Sequence, residues 1–288
     1  MLLGASMWGV AWYPIRLLED RGLNGLWLLL VMYGAAILVC LPWAWRSIGE
    51  FGRAPALIAV MVLSGGWTNV GFVLGVLDGN VLRVLLLFYL SPLWATILGW
   101  LFLHERISRT AVGSLALAMV GAVAMLWNPE QSVPWPQGKA DWLALSAGFA
   151  FAVANAAARG AQQISISAKA MCIGLGVVLI AAVMIPFAAA PVPHVGLPVF
   201  AGAVALGVGG ILAMTVLVQY AVSHIPLHHS AVLALIELVA GAVSQQLLTD
   251  EVVSLREWTG GALIVLGAYL SARAAAKPSA TGDGRNFF

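Results

Sequence analysis

The sequence predicts an all-α integral membrane protein with ten transmembrane helices, arranged as two inverted-topology repeats of five helices each. The composition is 61% hydrophobic and 9% charged, whereas a soluble domain has about 25% charged residues. The apolar stretches are nearly continuous and do not alternate with period two. This favours helices over a closed β-barrel, the other structure that satisfies its backbone in lipid. A residue pattern of the first half also returns in the second half at constant spacing.

Ten apolar stretches are long enough for spanning helices, each of which needs about 20 mostly apolar residues. In chain order, the predicted bounds of helices 1 to 10 are 2–18, 26–45, 54–77, 81–103, 109–127, 141–162, 168–189, 197–222, 228–248 and 257–273. Helix 1 has neither a basic segment before it nor a clear small-residue cleavage site after it. We therefore interpret it as a retained span and not as a signal peptide.

The longest connection between helices divides the sequence into two halves, and it contains three prolines. We predict a first five-helix repeat at 1–127, a linker loop at 128–140 and a second five-helix repeat at 141–273. The polar residues 274–288 are predicted to form a disordered tail.

The internal repeat relates residues 85–122 to residues 231–268, which lie 146 positions later without a gap. Its most specific match pairs Glu105 and Ser108 with Glu251 and Ser254, whose spacing is the same. Five is an odd number of helices, so the second repeat must insert with opposite topology. Inverted repeats are typical of secondary transporters, whose substrate sites lie near the midplane between the halves.

The distribution of basic residues predicts the orientation. Nine Lys and Arg residues fall on the side of the chain termini and five on the other. The positive-inside rule therefore predicts that both termini are cytoplasmic.

Several motifs resemble the drug/metabolite transporter superfamily in its ten-helix EamA-type form. The resemblance covers residues 1–273 and rests on Ser6-Met7-Trp8-Gly9, Ser91-Pro92-Leu93-Trp94-Ala95, His104-Glu105-Arg106-Ile107-Ser108, Thr249-Asp250-Glu251 and the Gly-rich run 260–267. One departure is Leu238, which stands where the family often repeats the proline of helix 4. The Trp-rich spans and the run 90–96 are most similar to YddG-type exporters. This finer resemblance implies export of aromatic amino acids across a bacterial inner membrane.

Glu237 is the only carboxylate deep inside a predicted span, and such a group marks a functional site by default. It suits a substrate ammonium or a transported proton, and the alternative is a structural hydrogen bond. Pro92, in the middle of helix 4, predicts a kink, because its ring removes a backbone donor and clashes with the Phe88 carbonyl. The kink shapes packing, acts as a hinge, or frees a carbonyl that accepts a hydrogen bond from the substrate.

Aromatic and amide side chains within the spans complete the candidate substrate-binding set. They are Trp8, Trp12, Asn69, Tyr89, Trp94, Asn155 and Tyr220. The rings suit an aromatic substrate and the amides suit its polar ends. The alternative is packing or lipid contact for the rings and hydrogen bonding between helices for the amides. Gln219 is a weaker member of the amide group. Glu105 and Glu251 are expected to fix loops, without contacting substrate.

Together these features predict a transporter, not an enzyme, that exports amino acids by alternating access. Helices 1, 3, 4, 6, 8 and 9 are expected to line its cavity, with helices 5 and 10 at the periphery. Two alternatives stay open, namely an exporter of other metabolites or drugs and an intramembrane enzyme. The enzyme lacks support, because the deep polar set has no histidine and no second acid. The expected partners are a small-molecule substrate and the lipid bilayer, without nucleic acid. We expect neither a cofactor nor a metal ion, and we expect a monomer and not an obligate oligomer.

Overall fold

The computed structural model describes residues 1–23, 25–79, 81–127, 136, 138–249 and 253–276. These residues form helices and short connections, and none of them lies in a β-strand. Eight of the described helical stretches, helices 2 to 9, are long enough and apolar enough to cross a membrane. The prediction of an all-helical membrane protein is confirmed.

Each helix lies within three residues of its predicted bounds. Helices 1 to 3 span Leu2–Glu19, Gly25–Ile48 and Pro55–Asp78, with a short 3₁₀ turn at Gly49–Arg53 before helix 3. Helix 4 has two segments, Val81–Phe88 and Ser91–Leu103, and helices 5 to 7 span Arg109–Leu126, Lys139–Gly160 and Ile166–Phe187. Helix 8 comprises Leu197–Ala205, Leu206–Ile211 and Leu212–His224, helix 9 comprises Leu227–Ala234 and Ile236–Leu248, and helix 10 spans Leu255–Ala276.

Two of these bounds touch the predicted domain limits. Helix 6 begins at Lys139, inside the predicted linker 128–140, and helix 10 continues to Ala276, inside the predicted tail 274–288. Residues 128–135, Glu251 and 277–288 lie outside the described residues. The division into domains stays a prediction.

Helices 4 and 9 both break near their middle, at positions that the repeat makes equivalent. Helix 4 is interrupted at Tyr89 and Leu90, just before Pro92, as the missing N–H and bulky ring of proline require. Helix 9 is interrupted at Leu235, which lies 146 residues after Tyr89, although Leu238 stands opposite Pro92. The break is therefore common to both halves, whereas the proline occurs in only one.

A glycine from a neighbouring helix packs against each break. Gly148 of helix 6 lies so close to Phe88 of helix 4 that a Cβ atom there would come within 3.1 Å of the Phe88 Cα. Gly9 of helix 1 lies against helix 9 in the same way, where a Cβ atom would come within 2.9 Å of the Gly241 backbone nitrogen and would overlap the Glu237 carbonyl. Small residues permit such close contact between helices in a membrane.

Helix 8 contains one turn of π-helix at Leu206–Ile211, within the sequence Leu-Gly-Val-Gly-Gly-Ile. Glycine has a low helix propensity, and a π turn widens the helix where it occurs. The equivalent stretch of helix 3 is regular α-helix. Helix 8 thus departs from the symmetry between the halves.

The packing between helices follows an approximate two-fold relation. Helix 5 packs on helix 10, helix 2 on helix 7, and helix 4 on helix 9. Helix 1 packs on helix 9 as helix 6 packs on helix 4, and helix 8 packs on helix 2 as helix 3 packs on helix 7. When each helix is replaced by its equivalent in the other half, every one of these packed pairs corresponds to an observed pair. This is the arrangement expected of two inverted repeats.

Candidate functional site

A central cavity lies between the two halves, at the level of both helix breaks. It encloses about 1110 Å³, including its open mouth. Helices 1, 3, 4, 6, 8 and 9 line it, as predicted, and helices 2 and 7 add Tyr33 and Ile173. No described residue of helix 5 or helix 10 reaches it.

The cavity extends toward the end of the molecule where helix 1 begins and helix 8 ends. Met1 and Ala5 of helix 1 line it there, together with Gln219 of helix 8. At the opposite end, helix 3 packs tightly on the start of helix 6, where a Cβ atom on Gly75 would lie 3.3 Å from the Ala140 carbonyl oxygen. The lining of the cavity therefore reaches toward one end of the helices, here termed the open end, and the close packing lies at the other, here termed the blocked end.

Two ion pairs hold the blocked end together. Arg83 Nε lies 2.8 Å from Asp141 Oδ2, and both side chains are largely buried. Lys139 Nζ lies 2.9 Å from Asp78 Oδ2 in a more exposed setting. The pairs join the start of helix 4 and the end of helix 3 to the first turn of helix 6.

Glu237 lines the cavity, at the start of the second segment of helix 9. Its carboxyl group interacts with the Tyr89 side chain, which lies at the break of helix 4. The residue equivalent to Glu237 in the first half is Ser91, which is buried and begins the second segment of helix 4. Ser91 and Pro92 also line the cavity. The two helix breaks therefore present an acid and a hydroxyl to the same space.

Six aromatic rings form much of the cavity wall. They are Trp8, Tyr33, Phe72, Phe88, Tyr89 and Phe151. Phe88 is at their centre, because its ring centroid lies 5.0 Å from that of Phe72, 5.4 Å from that of Tyr89 and 5.8 Å from that of Phe151. The sequence singled out only Trp8 and Tyr89 from this set. The phenylalanines gave no signal, because apolar rings are common throughout the spans.

Three amide side chains also line the cavity. Asn69 Oδ1 accepts a hydrogen bond from the Tyr33 hydroxyl at 3.0 Å, and its Nδ2 donates to the Gly65 carbonyl at 3.1 Å. Asn155 is buried in helix 6. Gln219 is 4% exposed, and its Oε1 has no hydrogen-bond partner among the described residues. Asn69 is thus held in place by protein groups, whereas Gln219 presents an unpaired acceptor.

The structure places the other three aromatic candidates away from the cavity. The Trp12 indole donates a hydrogen bond to Ser244 Oγ at 2.9 Å and so joins helix 1 to helix 9. Trp94 packs edge-on against Phe149. Tyr220 is 55% exposed and stacks on His224. None of the three is among the described residues that line the cavity, so the structure does not bring them together with Trp8 and Tyr89, and their role as substrate contacts stays a prediction.

Glu105 joins helices 4, 6 and 9 at the open end of the molecule. Its carboxylate accepts hydrogen bonds from the Leu227 backbone N–H, at 2.8 Å for Oε2, and lies 3.0 Å from His228 Nδ1 and 3.4 Å from Arg159 Nε. Burial acts to raise the pKa of the Glu105 carboxyl. The hydrogen bonds from His228 and Leu227, together with the Arg159 charge, outweigh burial and leave the pKa below its usual value. This agrees with the expectation that Glu105 fixes a loop.

The C-terminal end of helix 8 receives two basic groups from neighbouring helices. Arg159 Nη1 donates to the Ser223 carbonyl at 2.7 Å, and Lys169 Nζ donates to the Ser223 hydroxyl at 2.7 Å. Lys169 is only 1% exposed. Cations at a helix C-terminus interact favourably with the helix dipole. Together with Glu105, these contacts tie helices 4, 6, 7, 8 and 9 at one end.

One comparison with known protein families finds a match in the first part of the chain. Residues 1–127, which contain helices 1 to 5, match the model of the EamA-like transporter family. A comparison with curated protein sequences finds no match. A solved structure with the name "Crystal structure of protein" superposes with a TM-score of 0.75 over 98% of this chain and 98% of its own, with 15% sequence identity. At that identity the likeness shows the fold alone.

Proposed function

We propose that this chain, whose residues 1–127 match the EamA-like transporter family, is a transporter of the drug/metabolite type that exports amino acids across a bacterial inner membrane. The preferred substrates are aromatic or hydrophobic, and transport proceeds by alternating access around the central cavity. The observation that carries the proposal is the position of Glu237, the one acid among the described residues that line a cavity walled by aromatic rings.

Glu237 supplies the site for the substrate ammonium. A carboxylate inside a membrane is costly, and it is retained where it pairs with a charged ligand or a proton. The neighbouring faces of Trp8 and Tyr89 add cation–π attraction for the same group. The remaining rings provide an apolar space for the body of the substrate.

The opposite end of an amino acid is a carboxylate, for which Ser91 is the proposed contact. Ser91 begins the second segment of helix 4, so the positive end of that segment's backbone dipole lies beside it. Interrupted helices in transporters bind anionic substrate groups with such ends. The two equivalent positions of the repeat would then hold the two unlike charges of one zwitterion.

Alternating access requires that each end of the cavity opens in turn. The positive-inside prediction places the open end in the cytoplasm, because helix 1 begins there, and an exporter loads from that side. Opening of the other end requires helices 3 and 4 to separate from helix 6. The Arg83–Asp141 and Lys139–Asp78 pairs would break in that movement.

The test is counterflow of radiolabelled phenylalanine in proteoliposomes that contain wild-type protein, Glu237→Gln or the control Tyr220→Phe. We expect saturable uptake by wild type and by the control, and a loss of at least about tenfold for Glu237→Gln, as removal of a charged hydrogen-bond partner implies. Absence of uptake for every aromatic amino acid would refute the substrate class. Full uptake by Glu237→Gln would remove Glu237 from the binding site.

A second candidate substrate class is supported by the cavity itself, which has an acid but no Lys or Arg among its described lining residues. Amine-bearing metabolites or drugs without a carboxylate also suit such a cavity. Competition by phenethylamine, which is phenylalanine without its carboxylate, separates the two classes. An amino-acid transporter binds phenylalanine more tightly than phenethylamine, and the order reverses for a transporter of amines.

A further inference from the structure

Gln219 is the cavity residue whose hydrogen bonding is incomplete. Its side chain lies in the second half of helix 8, lines the central cavity and is 4% exposed. Its Oε1 has no hydrogen-bond partner among the residues that the structure describes. A buried acceptor without a partner is costly, and native proteins rarely keep one unless another group supplies the donor.

Asn69, another amide of the cavity, does not share this property. Asn69 is paired through both of its amide atoms, with the Tyr33 hydroxyl and the Gly65 carbonyl. Neither atom of Asn155 is among the buried unpaired groups of the described chain. Gln219 thus differs from Asn69 in that its side-chain oxygen has no protein donor among the described residues.

We infer that Gln219 recognises a hydrogen-bond donor on the side chain of the substrate. This inference rests on the proposed function and narrows it. Glu237 and Ser91 belong to other helices, 9 and 4, and they account for the ammonium and carboxylate of the substrate. Gln219 belongs to a third helix, helix 8, and is therefore the polar lining residue proposed to contact the side chain of the substrate. An aromatic side chain with an N–H or O–H group, as in tryptophan or tyrosine, satisfies Gln219, and the phenylalanine ring does not.

A site built for a hydrogen bond discriminates strongly against an analogue that lacks the group, because the site is then left unpaired. The usual cost of an unpaired buried acceptor corresponds to roughly five- to a hundredfold in affinity. We expect tryptophan to be preferred over phenylalanine by a factor in this range in wild-type protein. The preference should fall by the same factor in Gln219→Leu.

The first experiment measures counterflow of tryptophan and phenylalanine by wild type, Gln219→Leu and the control Tyr220→Phe. Tyr220 is the next residue of the same helix and lies outside the cavity. Loss of the tryptophan preference in Gln219→Leu only is the expected result. An unchanged ratio in Gln219→Leu would overturn the inference and leave amino-acid export intact, whereas no uptake of either amino acid by wild type would overturn both.

A second experiment needs no variant and so does not depend on the folding of Gln219→Leu. Two tryptophan derivatives of equal size compete for uptake by wild-type protein. One is methylated on the indole nitrogen, which removes the donor, and the other on carbon 5, which keeps it. We expect the N-methyl compound to bind at least about fivefold more weakly. Equal inhibition by the two compounds would refute recognition of a donor.

Discussion

Glu105 is predicted to be the main polar stabiliser of the open end of the molecule. Its carboxylate accepts from the Leu227 backbone N–H, from His228 and from Arg159, and its side chain is 11% exposed. Replacement by glutamine keeps the shape and one acceptor oxygen but removes the charge. Replacement by alanine removes every contact and leaves the Leu227 N–H unpaired.

The structure sets the expected size of each loss. A hydrogen bond to a charged group contributes about 1.5–3 kcal/mol, and breaking a buried ion pair costs about 3–5 kcal/mol. Arg159 is a quarter exposed and keeps its bond to the Ser223 carbonyl. We therefore expect a cost of about 2–3 kcal/mol for Glu105→Gln and about 3–5 kcal/mol for Glu105→Ala.

The assay is the thermal unfolding midpoint of purified protein in detergent. At about 2 °C per kcal/mol for a chain of this size, Glu105→Gln lowers the midpoint by about 4–6 °C and Glu105→Ala by more. Glu257→Gln is the control, because the hydrogen bonds that the Glu257 carboxylate makes among the described residues are to the exposed Ser254 near the start of helix 10. Its change is expected to stay within about 2 °C.

The effect of Glu105 depends on pH in a defined direction. The pKa of its carboxyl is lowered in the folded protein, so its contribution is complete above the unfolded pKa of about 4.3. The contribution is lost as pH falls through the lower, folded pKa. The difference between wild type and Glu105→Gln should therefore be full at pH 7 and shrink below about pH 4. A midpoint for Glu105→Gln equal to that of wild type at pH 7 would refute the reasoning.

Two further predictions concern packing between helices. Gly176→Ala in helix 7 should destabilise the protein by about 1–3 kcal/mol, because the new Cβ would overlap the Val62 carbonyl of helix 3. The control is Gly113→Ala, which should not lower the unfolding midpoint because the space around Gly113 is open. Equal midpoints for the two variants would contradict the close contact. Trp12→Phe removes the hydrogen bond to Ser244 and should lower the free energy of unfolding by about 0.6 kcal/mol. Transport should be unchanged, since Trp12 does not line the cavity. A transport defect without a loss of stability would show that Trp12 takes part in substrate binding.

The helices were predictable from sequence because their signal is one of length and composition. Twenty apolar residues bounded by charges define a span whatever its neighbours are. The break in helix 4 followed from Pro92 alone. The break in helix 9 did not, because Leu235 carries no local signal; helix 1 packs against the segment that follows this break.

The faces of the helices were harder to predict. In water, an apolar stripe shows which side of a helix is buried. In lipid, both the buried side and the exposed side are apolar, so the sequence offered no means to separate Trp8, which lines the cavity, from Trp12 and Tyr220, which do not. Glu237 was identified because a charged group in a membrane is unusual in any orientation.

The repeat places Ser91 and Glu237 at equivalent positions, yet one is neutral and the other acidic. With Gln219 on a third helix, the cavity presents three chemically different polar groups that do not lie on one element. A ligand that engages all three can do so in one arrangement of its own groups. Its mirror image would have to leave one group unmatched. The divergence of the two duplicated halves is thus sufficient to make the cavity stereoselective, so that it binds the L- and D-forms of one compound with different affinities.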